Sequence, residues 1–410
     1  MMLKIAFRNI FRQKRRSILT GLSIFGGFVL SAFFIGWSDG SYNDIIDMFT
    51  RNRTGHIQVH QKDYLDRPSL HKTIGRLPEM DNIFRETRGI DSWAPRLYCP
   101  GLVSVGEKSS GARIIGIDPD KENRTTRFDK KIVEGAVFSP GASKETVMGK
   151  GLAKLLKAKI GDDAVILSQA ADGSIANDKY RIVGIMESGD ENDDRMAFYL
   201  PIDAARELFA LQGRVHEIAI TVKNLNDIPH IVKTLEEKIS AMDNAASASL
   251  AVEPWQVFAK AFYVAMEVDK EGMWVMLLIV MLVVAVGVLN TVLMSVLERR
   301  REYGVLKAVG TKPGQIVKMV MSEVTILTVF CIFVGIGVGL LLNYYFTTHG
   351  YTLPEPLSYG GMKFQTMRSE INARSFYIPA ITVLFAAVVV GIFPAIKAAR
   401  TDPAKSMRTH

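Results

Sequence analysis

Residues Ser17 to Trp37 read SILTGLSIFGGFVLSAFFIGW, a run without a single charged side chain. Wound as a helix at about 1.5 Å of rise per residue, such a run covers roughly 30 Å, the thickness of one hydrocarbon core. Hydrocarbon offers backbone N–H and C=O groups no partner, so a run that enters it must satisfy them within itself, as a helix. Charge-free runs recur at Gly272–Val296, Val324–Phe346 and Phe376–Ile396. Repetition at this length makes buried helices of a soluble protein the poorer reading. Composition agrees: the 410 residues are 48% hydrophobic with a mean hydropathy of +0.14. That is too apolar for an average soluble protein and too polar for a chain lying wholly in a membrane.

The net charge of +8 is placed beside these runs. Lys4, Arg8, Arg12, Lys14, Arg15 and Arg16 precede the first. Arg299, Arg300, Arg301, Lys307, Lys312 and Lys318 lie between the second and third, and Lys397, Arg400, Lys405 and Arg408 follow the fourth. The connection between the third and fourth carries only Lys363, Arg368 and Arg374. This is a positive-inside pattern and not a nucleic-acid footprint; it predicts cytoplasmic termini and a cytoplasmic second connection. The expected layout is a helix at 1–16, spans at 17–37, 272–296, 324–346 and 376–396, and an extracytoplasmic domain at 38–271. A cytoplasmic segment at 297–323, an extracytoplasmic loop at 347–375 and a cytoplasmic tail at 397–410 complete it. The first run is too long for a signal peptide and lacks an A-x-A site, so it reads as an uncleaved anchor. At residues 1–16, Leu3, Phe7, Ile10 and Phe11 share one helical face and the basic residues the other, as in an amphipathic helix lying in the headgroup layer.

The inserted segment mixes periodicities. His56–His60, Arg113–Ile117, Ala164–Leu167, Tyr180–Ile185 and Glu217–Val222 read as strands. Lys150–Leu156, Pro201–Ala210 and Asn226–Met242 read as helices, which gives an α+β domain. Tyr42, Ile45, Ile46 and Phe49, and Trp255, Phe258, Phe262 and Ala265, continue helical stripes beyond the first and second spans. They predict stalk helices packed on each other. His56 and His60 have a metal-like spacing, but four residues of strand separate them by roughly 13 Å, too far to share an ion. The acidic run Glu187, Asp190, Glu191, Asp193, Asp194 lacks a calcium-loop frame and reads as a solvated loop. Gly149-Lys150-Gly151-Leu152 fits no phosphate-binding loop, and no catalytic constellation or metal site is visible. Cys99 and Cys331 lie in a polar and an apolar stretch and are not expected to meet.

Small and polar residues within the spans point to helix packing. Ser23, Gly27 and Ser31 lie four apart, and Gly335 and Gly339 form a GxxxG, within the chain or between two chains. Asn290 predicts an interhelical hydrogen bond or a cavity lining.

The most specific stretch is LNTVLMSVLERRREYGVLKAVGTKPGQI, residues 289–316. It predicts a span leaving the bilayer through a belt of charge, then a short helix presenting Tyr303, Leu306 and Lys307, ended by Gly310, with Thr311 and Pro313 opening the next helix. The interleaved Val305, Leu306 and Val309 argue for docking on a partner. The stretch resembles the signature of the FtsX-like permeases, the membrane subunits of MacB-type (type VII) ABC transporters. The match runs through Asn290, Val296, Glu298, Arg299, Arg300, Arg301, Glu302, Gly304, Val305, Leu306, Lys307, Ala308 and Gly310. Tyr303 stands for the usual Ile, and Thr311 for the usual Ala. Ala6-Phe7-Arg8-Asn9 and Pro394-Ala395-Ile396-Lys397-Ala398-Ala399 resemble the family's opening and closing. Val133-Glu134-Gly135, Gly149-Lys150-Gly151-Leu152-Ala153, Gly161-Asp162 and Val183-Gly184-Ile185 are similar to its MacB-like core. Gly55-His56-Ile57-Gln58-Val59 with Tyr64 resembles the lipoprotein-releasing (Lol) branch.

The resemblance implies a four-span protein of the bacterial inner membrane with a MacB-like periplasmic core domain. It implies no catalytic residue and no cofactor in this chain, ATP and Mg being bound by a separate ABC ATPase dimer that docks on Glu298–Gly310. Implied partners are that dimer, a second permease chain (identical or paralogous), membrane lipids, and a periplasmic lipoprotein carrier or adaptor, with no nucleic acid. The implied work is extraction of lipoproteins or other lipid-anchored cargo. Export of a hydrophobic compound or peptide, and signalling to a cell-wall hydrolase, are the alternatives.

Overall fold

The computed structural model describes residues 14–139, 141–242, 249–359 and 362–401. The expected helix at 1–16 falls almost wholly outside them, as does the tail beyond Thr401. The chain opens with α1 (Lys14–Phe49), a π-helical turn (Thr50–Thr54), β1 (Ile57–Gln61), α2 (Leu77–Glu86), β2 (Ile90–Val105), β3 (Lys108–Ile117) and α3 (Pro119–Thr126). Next come β4 (Ile132–Gly135), β5 (Glu145–Gly149), α4 (Lys150–Leu156), β6 (Asp163–Gln169), β7 (Ile175–Met186), α5 (Glu191–Asp194), β8 (Ala197–Pro201), α6 (Ile202–Leu208) and β9 (Glu217–Val222). Then follow α7 (Ile228–Ser240), β10 (Leu250–Pro254), α8 (Trp255–Phe258), α9 (Lys260–Glu298), α10 (Arg300–Ala308) and α11 (Pro313–His349). A hairpin of β11 (Tyr351–Tyr359) and β12 (Met362–Met367) precedes α12 (Arg374–Ala399). Two compact units result, and the boundary between them falls within α1, within α9 and within the β11–β12 hairpin.

One unit holds the helices long and apolar enough to cross a membrane, which belong to α1, α9, α11 and α12. Ile24, Phe28 and Ala32 of α1 meet Val284 and Val288 of α9, Val324 and Cys331 of α11, and Val383 and Ala387 of α12 in one buried cluster. In hydrocarbon no hydrophobic force draws helices together, so they associate by close packing at small residues. A Cβ on Gly27 would lie 2.0 Å from Val284, one on Gly335 2.6 Å from Phe28, and one on Gly339 3.3 Å from Phe376. Ser31 is buried and Ser23 lies opposite Gly287, so both small-residue stripes are taken up within this chain.

Three expectations change. Asn290 is exposed, because the buried stripe of α9 runs Val284, Val288, Val292, Val296, and a residue two positions from Val288 and Val292 points the other way. The segment 347–375 is not a bare loop, since it holds the β11–β12 hairpin. The second stalk is broken: α8 ends at Phe258 and α9 starts at Lys260, with Ala259 out of helical conformation (φ −109°, ψ 40°).

The other unit is the inserted α+β domain. Its ten strands form one sheet in the order β10-β1-β9-β2-β3-β8-β5-β7-β4, with β6 on β2 and β7. Strand β2 divides it into two parts. Ile90–Arg96 pairs with β9 and Arg96–Val105 with β3. The first part carries α2 and α7, which bury Met80, Phe84, Ile231 and Leu235. The second packs α4 and α6 around Leu97, Ile114, Met148, Leu152, Ile166 and Phe198. The stalk stripes pack on each other here, with Phe49 stacked on Phe262 at 4.1 Å and Trp255 edge-on at 5.9 Å. His56 and His60 are buried strand residues; the His56 ring accepts the Val222 N–H at 2.9 Å. Cys99 and Cys331 are both free.

Where β2 changes partners, Arg96 is 5% exposed and holds Glu122 at 2.5 Å and Glu217 at 3.1 Å. Burial acts against both carboxylates. Arg96 and Thr126 nevertheless hold Glu122 below the ordinary carboxylate range, whereas burial prevails at Glu217 and lifts it. Removing one partner of a buried ion pair strands the other's charge and costs about 3–5 kcal/mol. Arg96→Met is therefore expected to lower the melting temperature of the inserted domain by many degrees, with a smaller drop for Arg96→Lys. A thermal melt in which Arg96→Met matches the parent would contradict this role.

Candidate functional site

The signature stretch folds as the end of α9, a one-residue break at Arg299, the short helix α10 and the start of α11. Gly310 has φ +99°, a conformation that side chains resist, and two bonds close the helix around it. The Gly310 N–H donates to Lys307 O and the Thr311 N–H to Leu306 O, both at 3.0 Å, the paired closure of a Schellman motif. Pro313 then stands in the first turn of α11, where its missing N–H is no loss. Gln315 Oε1 accepts the Lys312 N–H at 3.0 Å.

Two basic residues pin α10 to the helices behind it. The Arg299 guanidinium, in a residue 8% exposed, gives Nη1 to both oxygens of Glu323 at 3.0 and 3.1 Å, and Nε to Glu302 at 2.9 Å. It also lies 5.6 Å from the centre of the Tyr303 ring. Lys307 Nζ donates to Ala399 O at 3.0 Å and to Thr401 O at 2.9 Å, satisfying carbonyls left open where α12 ends. The inner face of α10 is thus tied to α11 through Glu323 and to α12 through its last carbonyls.

This revises the expected presentation of the helix. Tyr303 is 1% exposed and sits in the apolar cluster with Ile316, Met319 and Ala398, because its ring fills the space under Arg299. Arg299 and Lys307 turn inward with it, and Gly304 is buried. What remains outward is Val305, Leu306 and Val309, 51%, 37% and 82% exposed, flanked by the exposed Arg300 and Arg301. Glu298 is exposed at the end of α9. Glu323 was not singled out in the sequence. Its signal was a carboxylate one residue before an apolar run, 24 positions from the arginine it meets.

The acidic run of the inserted domain also differs from a free loop. Asp190 pairs with Arg53 at 2.5 Å, Asp193 pairs with Arg113, Glu187 takes Lys150 at 2.8 Å, and Asp194 is 4% exposed. Nearby, Lys131 donates to the Asn52 carbonyl, and burial pushes its amine down to about 8 against the pull of Glu122. Asn52, Arg53, Arg113, Lys131 and Asp193 are among the residues lining a cavity of about 830 Å³. Among the described residues no group of three or more His, Cys, Asp and Glu stands ready to hold a metal.

Glu323→Gln leaves Arg299 with the half-exposed Glu302 as its carboxylate, and is expected to loosen α10 by about 1.5–3 kcal/mol, the worth of a hydrogen bond between charged groups. Amide exchange of Arg300–Ala308 should then accelerate at least tenfold while α9 and α11 stay protected. Unchanged exchange would show that the pair does not hold the helix.

Comparison with known proteins follows the same division of the chain. Residues 17–238 match the model of the MacB-like periplasmic core domain, and residues 274–403 that of the FtsX-like permease C-terminal region. The lipoprotein-releasing system transmembrane protein LolC of Neisseria meningitidis is 22% identical over 82% of this chain and 84% of its own length. An uncharacterised ABC transporter permease of Methanocaldococcus jannaschii is 25% identical over 98% of this chain and 96% of its own. The macrolide export ATP-binding/permease protein MacB of Escherichia coli is 21% identical over 99% of this chain, which spans 60% of that protein. Members of this family work with an ABC ATPase. The chain belongs to the FtsX-like permeases with a MacB-like periplasmic core domain, and is an ABC transporter permease of the MacB/LolC type.

Proposed function

We propose that this chain is the membrane subunit through which a separate ATPase dimer moves an extracytoplasmic domain, acting as a transmitter of force. The observation that carries the reading is the two-sided build of α10. Its inner face is pinned to α11 and α12 by Arg299 and Lys307, while Val305, Leu306 and Val309 form an exposed apolar face beside basic residues. An apolar centre with a charged rim is the composition of a docking surface. A partner seated there that closes on ATP would displace α10, and with it the inner ends of α11 and α12. The chain carries no phosphate-cradling loop, so the nucleotide and its Mg belong to the partner.

The termini and α10 lie in the cytoplasm and the inserted domain outside it, in the bacterial inner membrane. Two permease chains, identical or paralogous, face each other over the ATPase dimer. The cargo is a lipoprotein or another lipid-anchored molecule drawn from the outer leaflet and handed to a periplasmic carrier. The lipoprotein-releasing relative favours this cargo, since the match covers most of both chains. Export of a hydrophobic compound through an adaptor is the second reading. It is favoured by the macrolide export relative, whose name places ATP binding in the same protein as the permease.

Cysteines at the exposed Ser143 and Ser174 should react with an impermeant thiol reagent added outside spheroplasts, and a cysteine at Lys312 should not. The reverse pattern would overturn the orientation. Leu306→Asp would place an unpaired charge in the centre of the docking face, at a cost of several kcal/mol, on the order of 3–5. It should insert normally and co-purify with at least tenfold less ATPase, whereas Glu302→Ala, at the half-exposed rim, should retain most of it. Stoichiometric ATPase binding and full function in Leu306→Asp would refute docking at this helix.

A further inference from the structure

At its far end α1 does not run into a plain loop. Residues Thr50–Thr54 wind one π-helical turn, closed by the Gly55 N–H on Thr50 O at 2.7 Å, before the chain reverses into β1. Gly55 has φ +78°, and a Cβ there would come within 3.0 Å of the Ile220 backbone, so the reversal needs glycine. Single π turns inside or at the end of helices are uncommon and cluster at functional positions.

The two arginines of this turn reach different parts of the inserted domain. Arg51 holds Asp47 of its own helix at 2.9 Å, Asp91 at the start of β2 at 2.9 Å, and Val222 O at the end of β9 at 3.3 Å. Its side chain is 16% exposed, and all its partners outside α1 belong to the first part of the domain. Arg53 reaches the second part. Nη1 meets Asp190 at 2.5 Å, Nε stands 3.9 Å from Asp193, and the guanidinium lies 6.0 Å from the Phe49 ring. The loop it grips is itself stiff. Asp190 accepts the Asn192 and Asp193 N–H groups, Asp194 accepts Ser188 N–H, and Asp193 is held by Arg113 of β3.

The turn is thus tied to both parts of the domain by charged bonds. Arg51 holds two carboxylates, 38% and 37% exposed, and a carbonyl. The Arg53 side chain is 35% exposed, but its partners Asp190 and Asp193 are 15% and 10% exposed, and Lys131, next to β4, adds a bond to the Asn52 carbonyl of the same turn.

We propose that Arg53 and the Asp190–Asp193 loop form a latch that makes the second part of the inserted domain follow the end of α1, with Arg51 as the joint to the first part. Arg53 is then a positioning residue for the coupled movement. This rests on the force-transmitting reading above.

The test uses the full chain with its ATPase in lipid nanodiscs, carrying an environment-sensitive fluorophore on a cysteine. Ser174, exposed on the second part, and Glu237, exposed on α7 of the first, are labelled in separate preparations. ATP with vanadate traps the closed ATPase, and the emission change is read. Both labels should respond in the parent. In Arg53→Glu the Ser174 response should fall at least fivefold while the Glu237 response, the melting temperature and ATPase binding stay unchanged. Arg53→Lys should keep most of the Ser174 response. A full Ser174 response in Arg53→Glu, loss of both responses together, or a loss in Arg53→Lys as deep as in Arg53→Glu would each overturn the latch while leaving transmission standing. If neither label responds in the parent, the force-transmitting reading fails, and the latch with it.

Discussion

A guanidinium that leaves water must take its counter-ions with it, and among the described residues a buried arginine in each unit meets that constraint. In the inserted domain Arg96 sits at the residue where β2 passes from one partner strand to the other, between Glu122 and Glu217. In the helical unit Arg299 sits where α9 gives way to α10, between Glu302 and Glu323. In both cases the buried charge stands at a junction that local backbone pairing alone would leave loose. An apolar substitute could fill the space, but it would not select one partner arrangement over others. Selection of that kind is the best-attested use of buried ion pairs.

The helical unit adds a second constraint. Between helices surrounded by lipid, affinity comes from contact distance. Gly27, Gly335 and Gly339 set those distances, and their partners are Val284, Phe28 and Phe376 of the same chain. Such packing leaves α10 as a short rod fixed on its inner side and free on its outer side. Val305, Leu306 and Val309 stand outward, while Arg299 and Lys307 bond inward to Glu323 and to the end of α12.

Much of this was legible in the residues because it is local. The spans announced themselves by the absence of charge, Lys150–Leu156 and Glu217–Val222 by their periodicity, and Gly310 by the turn it closes. What was not legible depended on distant partners or on residues that argue against their own element. Strand β2 contains Pro95, Pro100 and Gly101, which weaken any reading of Ile90–Val105 as continuous strand. The β11 strand carries Pro354 and Pro356 for the same reason. The acidic run looked solvated because its cations, Arg53 and Arg113, lie more than a hundred residues and about eighty residues away in the chain. Tyr303 looked outward because a tyrosine in a basic stretch gives no sign of the guanidinium that will cover it. Asn290 looked inward because polarity alone does not say which face of a helix a residue occupies; the spacing of the valines does.

Force transmission requires that the state of a nucleotide bound by the partner reach the far end of α1. Amide exchange of the permease–ATPase complex should therefore differ between the nucleotide-free and the vanadate-trapped states in two places at once: Arg300–Ala308, which carries the proposed docking face, and Thr50–Gly55, where α1 ends in the inserted domain. Changes confined to Arg300–Ala308, with Thr50–Gly55 and the rest of the inserted domain the same in both states, would contradict it.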